Sequence, residues 1–181
     1  MSDDTGKTLS RISLPGDDEL PPEIAQTLAA LPPLNVFRMM GRAPASFQPF
    51  LELALSILVK SEFDARKREI AVLRVAHVTR AEYEWVQHLA VAKGVGLTQQ
   101  EIDAIGVDGP VRSLDEEGNL LCRVADEISR DVRLADDSLA EIVERYGERQ
   151  AMELILCCAY FNMLSRILES TRVPLEETPV L

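Results

Sequence analysis

Apolar residues recur every three or four positions through most of the chain, a spacing that places them on one face of an α-helix. In residues 65–78, Ile70, Leu73 and His77 share one side in this way. No segment shows sustained two-residue alternation with β-branched residues, and no Asn-Gly or Asp-Gly hairpin turn lies between such runs. The pattern therefore predicts an all-α fold of seven to eight helices.

Prolines, glycines and capping residues mark the ends of these helices. Thr98 followed by Glu101 forms a capping box, and Asp64 and Thr79 are predicted to cap the helices that follow them. Short helices are predicted at 21–30, 34–40 and 98–106, and longer ones at 44–60, 65–78, 80–93 and 113–130. The last helical region is predicted as two segments, at 136–146 and 148–170.

Length and composition fit one domain. The chain has 181 residues, of which 46% are hydrophobic, so it can bury a sizeable core. Residues 1–20 mix Gly, Pro, Asp and Ser without periodicity and are predicted to form a flexible N-terminal arm. Residues 21–173 are predicted to form a single all-α domain, and residues 174–181 an irregular tail.

The formal net charge is −11, which disfavours nucleic acids and anionic membranes as partners because both attract a positive surface. Residues 101–150 contribute most of this charge, with 14 acidic and 6 basic side chains. This segment is predicted to present a solvated acidic face, whereas residues 61–100 are almost neutral.

Targeting signals and cysteine usage both indicate a cytoplasmic protein. The N-terminus lacks the basic start and apolar run of a signal peptide, and no apolar stretch is expected to reach the roughly 18 residues of a membrane span. Cys122, Cys157 and Cys158 are odd in number and lack zinc-like spacing, so they predict buried thiols rather than disulfides or a metal site.

The candidate chemistry lies on two neighbouring predicted helices. Glu84 and His88 are four residues apart and share one helix face, and a short turn near Thr79 can bring Glu69 opposite them. Two carboxylates beside an imidazole form a plausible proton-transfer set, to which Tyr83 can add a phenol. From spacing alone, a solvated Glu–His surface pair is the more common arrangement.

Four stretches resemble the carboxymuconolactone decarboxylase-like superfamily, which includes the alkylhydroperoxidase-D-type antioxidant proteins. They read LNVFRMM (34–40), REIAVLRVA (68–76), YEWVQH (83–88) and RILESTRVP (166–174). The resemblance covers most of the chain. It implies an alkylhydroperoxidase-D-like helical bundle that assembles as a dimer, trimer or hexamer.

The peroxidase branch of that superfamily carries a Glu, a C-x-x-C pair beginning twelve residues later, and a His four residues after the second Cys. The corresponding residues here are Glu69, Ala81, Glu84 and His88. Ala81 and Glu84 cannot supply the thiolate that attacks a peroxide or the thiol that resolves the sulfenic acid. The chain is therefore more similar to the cysteine-lacking decarboxylase branch.

Resemblance to the decarboxylase branch implies a lyase or isomerase that acts on a small carboxylated or lactone substrate without a metal or organic cofactor. His88 or Glu84 would donate a proton, with Glu69 adjusting the pKa of the donor. Arg74 or Arg68 would hold a substrate carboxylate, if either faces the pocket.

Two aromatic residues flank Glu84 and suggest a substrate with apolar parts. Tyr83 is a candidate catalytic hydrogen-bond donor and Trp85 a candidate substrate contact, although a lone Trp is more often a core anchor. Two alternatives stay open: a peroxidase-like antioxidant protein, and a non-catalytic oligomeric binding module in which Glu84 and His88 are solvated.

Overall fold

The computed structural model describes residues 12–177, and within that range it contains eight α-helices and no β-strand. A 3₁₀ turn at Asp17–Glu19 precedes them. The helices are α1 (Pro22–Ala30), α2 (Asn35–Met40), α3 (Pro44–Leu58), α4 (Ala65–Thr79), α5 (Glu82–Gly94), α6 (Gln99–Ile105), α7 (Glu116–Asp131) and α8 (Asp136–Thr171). The predicted all-α class is confirmed.

Local capping explains most of the helix ends. The Asp64 carboxylate accepts a hydrogen bond from the backbone N–H of Lys67, and Thr98 forms the predicted capping box with Glu101. Thr79 does not cap α5. It is the last residue of α4, its hydroxyl donates back to the Val75 carbonyl at 2.8 Å, and the left-handed residue that follows (φ 57°) ends the helix.

Gly147 interrupts α8 with φ 75° and ψ 163°, values that only glycine adopts without strain. The break separates the two helical segments predicted at 136–146 and 148–170. Contrary to the sequence expectation, α8 is long and apolar enough to cross a membrane by length and composition. Of its most apolar 18-residue window, 56% is buried inside the protein, which is also typical of a central core helix.

Helix α4 forms the centre of the core and packs against α5, α7 and α8. Ala71, Val72, Leu73 and Val75 have no solvent-exposed surface, so the middle of α4 is enclosed on every side. Burying such a run of aliphatic side chains stabilises the fold through removal of apolar surface from water. The same enclosure fixes the direction in which the polar residues of α4 point.

The described residues on either side of the predicted domain form contacts with it. Residues 1–11 of the predicted arm and 178–181 of the predicted tail lie outside the described residues. Arg38 donates hydrogen bonds to the Pro15 carbonyl and to Asp17, and Leu20 is buried, so residues 12–20 pack on the helical body. At the other end, Glu176 reaches back to the first residue of α2.

Candidate functional site

A cavity of about 430 Å³ lies between α3, α5 and α8, with the N-terminal half of α4 at its inner end. Its walls are mostly aliphatic and aromatic, as in pockets that bind small organic molecules. Glu69, Glu84 and His88 all line it. The three residues that the sequence grouped by spacing therefore meet on one common cavity rather than on the surface.

Glu69 and His88 form the central pair of this site. His88 Nδ1 lies 2.7 Å from Glu69 Oε2, and Glu69 has no exposed surface. Because a carboxylate only accepts hydrogen bonds, Nδ1 is the donor and Nε2 is left without a hydrogen on the neutral ring. Phe161 packs edge-on against the imidazole, with ring centroids 4.9 Å apart, and holds its orientation. The pair presents Nε2 as a proton acceptor.

Glu84 is a buried carboxyl group with one hydrogen-bond partner, the hydroxyl of Ser165. Burial raises the pKa of Glu84 to about 8. The bond from Ser165 opposes this shift, and the nearby negative charge of Glu169 adds to it. Oε1 of Glu84 has no hydrogen-bond partner among the described residues. At neutral pH this group is therefore a carboxylic acid with a free oxygen.

Arg68 also lines the cavity, as one of the two arginines suggested for substrate binding. Only 8% of its surface is exposed, and Nε lies 3.8 Å from Glu69 Oε1, beyond hydrogen-bond distance. Both Nε and that Glu69 oxygen are buried without a partner in the described part of the chain. A buried guanidinium in this state has donors available for a ligand.

Tyr83 lines the cavity, but its hydroxyl is already engaged. It donates to Glu176 Oε1 at 2.5 Å and accepts from the backbone N–H of Val36 at 3.2 Å. Burial and the carboxylate of Glu176 raise the pKa of Tyr83 above its ordinary value. The phenol therefore links α5 to the C-terminal segment, and its proton is not aimed at a cavity ligand.

Arg74 does not reach the cavity, which corrects its suggested role in substrate binding. It is 0% exposed, and Nε and Nη2 contact Asp126 at 2.6 and 2.9 Å. The remaining donors reach backbone carbonyls, which are those of Ile105, Val107 and Gly109. Every N–H direction of the guanidinium is used, so Arg74 is a structural link between α4, α7 and the loop after α6.

Trp85 is likewise not among the residues that line the cavity. Its ring packs over Gly106, where a Cβ atom would lie 3.0 Å from the indole, and near His77 with centroids 6.0 Å apart. The substrate contact suggested for Trp85 is therefore wrong. One step along α5 from Glu84 turns the side chain by about 100°, toward α6 instead of the cavity.

The three cysteines are free thiols buried in the core. Burial raises the pKa values of Cys122 and Cys158 to about 12, and that of Cys157 well above its ordinary range. Thiols in this state are poor nucleophiles, because the reactive species is the thiolate. Their surroundings agree with the sequence interpretation of small buried hydrophobes.

Several residues of the site carry no signal in the sequence. Ser165, the partner of Glu84, is one serine in an apolar helix 81 residues away along the chain. Gln87 donates to Glu176, which also accepts from the backbone N–H of Asn35 at 2.6 Å. Tyr160, near Glu84, has its pKa raised by burial and by that carboxyl group. These contacts depend on packing between distant segments and not on spacing within one helix.

Comparison with protein families places the site within a known sequence domain. Residues 44–117 match the model of the carboxymuconolactone decarboxylase family, a range that includes α3 to α6 and Glu69, Glu84 and His88. Among curated protein sequences, none matches the chain.

Solved structures share the fold at low sequence identity. One is an uncharacterised peroxidase-related protein with an alkylhydroperoxidase AhpD core from Ralstonia eutropha JMP134, with a TM-score of 0.80, 16% identity and 93% of both chains covered. A peroxidase-related protein from Silicibacter sp. TM1040 has a TM-score of 0.79 and 17% identity over 97% of this chain and 96% of its own. A protein of unknown function from Agrobacterium tumefaciens has a TM-score of 0.65 and 17% identity, covering 77% and 96%.

Proposed function

We propose that the chain is a member of the carboxymuconolactone decarboxylase-like superfamily, a proposal supported by the match of residues 44–117 to that family. We propose further that it is a cofactor-independent acid–base enzyme acting on a small carboxylated or lactone substrate. The reaction is a lyase or isomerase step in the apolar cavity. The observation that carries the proposal is the convergence of Glu69, Glu84 and His88 on that cavity.

Glu84 is the proton donor in this proposal. A pKa of about 8 keeps Glu84 protonated at neutral pH, and its unpartnered Oε1 is available to donate this proton to a ligand. A general acid works best when its pKa lies near the working pH. The Ser165 hydroxyl stabilises the carboxylate that remains after transfer, because it donates to the other oxygen.

His88 is the proton acceptor, and Glu69 is its positioning residue. The hydrogen bond to Glu69 orients the ring and stabilises the imidazolium that forms when Nε2 takes a proton. Glu84 differs from this pair because its carboxyl group is isolated by burial, which raises its pKa to about 8. Two titratable groups with separated roles are what an acid–base reaction requires.

In the isomerase form of the step, His88 Nε2 takes a proton from one substrate carbon, the electron pair shifts, and Glu84 gives its proton to another carbon. In the lyase form, the bond between a carboxyl carbon and its neighbour breaks. Carbon dioxide leaves, and the remaining electron pair takes the proton of Glu84. After isomerisation, His88 gives its extra proton to water and Glu84 takes one from water, so both groups are restored with no net change in protons. After decarboxylation, Glu84 alone takes a proton from water, because the overall reaction consumes one.

The test uses a panel of small carboxylated lactones, with carbon dioxide release and ultraviolet absorbance as readouts of the two forms. Glu84→Gln and His88→Asn are each expected to lower turnover about 10²- to 10⁴-fold while the protein stays folded. Glu82→Gln is the matched control, since Glu82 is exposed on the same helix. Full activity in both site variants would refute the assignment.

A peroxidase-like antioxidant activity is the second candidate, and the peroxidase-related structural relatives favour it. The buried thiols oppose a dithiol mechanism, because Cys157 and Cys158 are adjacent in α8 and their side chains diverge. An organic hydroperoxide assay with a dithiol reductant decides this on the protein with all three cysteines changed to Ala. Loss of a genuine activity in that variant would favour the peroxidase.

A further inference from the structure

Arg68 is the one Lys or Arg side chain among the residues that line the cavity, and its buried Nε has no hydrogen-bond partner within residues 12–177. Its nearest carboxylate oxygen, Glu69 Oε1, lies 3.8 Å from Nε, beyond hydrogen-bond distance, and the other oxygen of Glu69 is bonded to His88. Buried polar groups in folded proteins almost always have a partner, and a buried guanidinium prefers a planar two-oxygen acceptor. The vacant donors therefore fit a carboxylate supplied by a ligand.

The rest of the cavity fits only one such group. Its other titratable residues are Glu69, Tyr83, Glu84, His88 and Tyr160. None of them adds a fixed positive charge, and the Glu69 carboxylate disfavours a second anion nearby. A second ligand carboxylate would lie against aliphatic side chains without compensation, which is costly.

The size and lining of the cavity define the remainder of the ligand. A volume of about 430 Å³ holds about 14 non-hydrogen atoms if each takes the roughly 30 Å³ of a liquid water molecule. From Arg68 the walls continue along Leu31, Leu55, Leu58 and Val59, of which Leu55 and Val59 are exposed at 50% and 72%. The part of the cavity lined by these four aliphatic side chains favours an apolar chain or ring of the ligand over a polar one.

We propose that the ligand of this cavity is an organic monocarboxylate with an apolar body, whose carboxylate is bound by Arg68. The identification of this ligand as a substrate rests on the function proposed above. A carboxylate anchored in this way is retained, since its ion pair with Arg68 stabilises the charge that decarboxylation would remove. Of the two reaction forms, this favours isomerisation, in which the proton moves within the apolar body.

The experiment is a calorimetric titration at pH 7 with octanoate, octanedioate and 1-octanol, which share a chain length and differ in charge. The wild-type protein is expected to bind octanoate about 10- to 100-fold more tightly than either of the others. Arg68→Met should remove this preference. Arg112→Met is the control, because Arg112 is exposed and lies outside the cavity.

Three results would overturn the inference: no binding of octanoate, equal binding of the three ligands, or an unchanged preference in the folded Arg68→Met protein. If that variant does not fold, Arg68→Lys is used instead. Lysine keeps the positive charge but cannot form the bidentate hydrogen bond of a guanidinium, so this variant should bind octanoate more weakly than wild type does. Glu84→Gln should keep the preference for octanoate. Octanoate binding through Arg68 with full turnover in Glu84→Gln would refute the acid–base function while the ligand class stands.

Discussion

Replacing Glu84 by Gln should change how the stability of the protein depends on pH. Glu84 is 2% exposed, and burial raises its pKa from 4.5 to about 8. The folded state therefore holds a proton that the unfolded state releases above pH 4.5. Raising the pH through this window favours unfolding, so stability is lost between the unfolded and the folded pKa.

The magnitude follows from the size of the shift. Each pH unit inside the window costs roughly 1.4 kcal/mol, so the free energy of unfolding of wild type, relative to Glu84→Gln, should fall by about 2 to 3 kcal/mol from pH 5 to pH 7. The amide that replaces the carboxyl group in this variant is neutral throughout and contributes no such slope. The neighbours that modulate the pKa, Ser165 and Glu169, are present in both proteins.

The assay is urea unfolding followed by the fluorescence of Trp85, the single tryptophan, at half-unit pH steps. Glu82→Gln is the control, since this exposed carboxyl on the same helix should give a difference from wild type that varies little with pH. A difference between wild type and Glu84→Gln that stays constant from pH 5 to pH 8 would refute the reasoning. It would mean that Glu84 is ionised in the folded protein.

Two further predictions concern residues outside the cavity. Arg74→Met should lower the free energy of unfolding by about 3 to 5 kcal/mol, because Asp126 and three carbonyls lose their partner, and urea unfolding measures this. A smaller loss than that of the exposed Arg112→Met would contradict the structural role. At saturating concentrations of a thiol reagent, the three cysteines should react only as fast as the protein opens, so adding more reagent should not raise the rate. Fast labelling of the native protein would contradict their burial.

Helix boundaries were accessible from the sequence because they depend on local chemistry. The Asp64 cap and the capping box at Thr98 act within one helical turn, and Gly147 breaks α8 through its own backbone conformation. The prediction that Thr79 caps α5 was wrong because its hydroxyl can either cap the following helix or donate back to the Val75 carbonyl. The choice between these depends on the left-handed residue that follows.

Helical periodicity and a short turn between α4 and α5 predicted that Glu69 can face Glu84 and His88. Spacing alone favoured a solvated Glu–His pair, and the cavity they line depends on the packing of α3 and α8. The two arginines of α4 were not distinguishable in the same way. Arg68 and Arg74 differ by about 240° around a helix that is enclosed on all sides, so polarity gives no direction. Only the packing of α7 and of the loop after α6 decides that Arg74 points away from the cavity.

The pH dependence of turnover at saturating substrate tests the central claim most directly, because it reports the protonation of the acid while it works. If Glu84 donates the proton, the rate should fall about tenfold per pH unit above roughly pH 8, where its carboxyl group ionises. Glu84→Gln should show only a low residual rate without this decline. A wild-type rate that stays constant or rises from about pH 7 to about pH 9.5 would contradict the account.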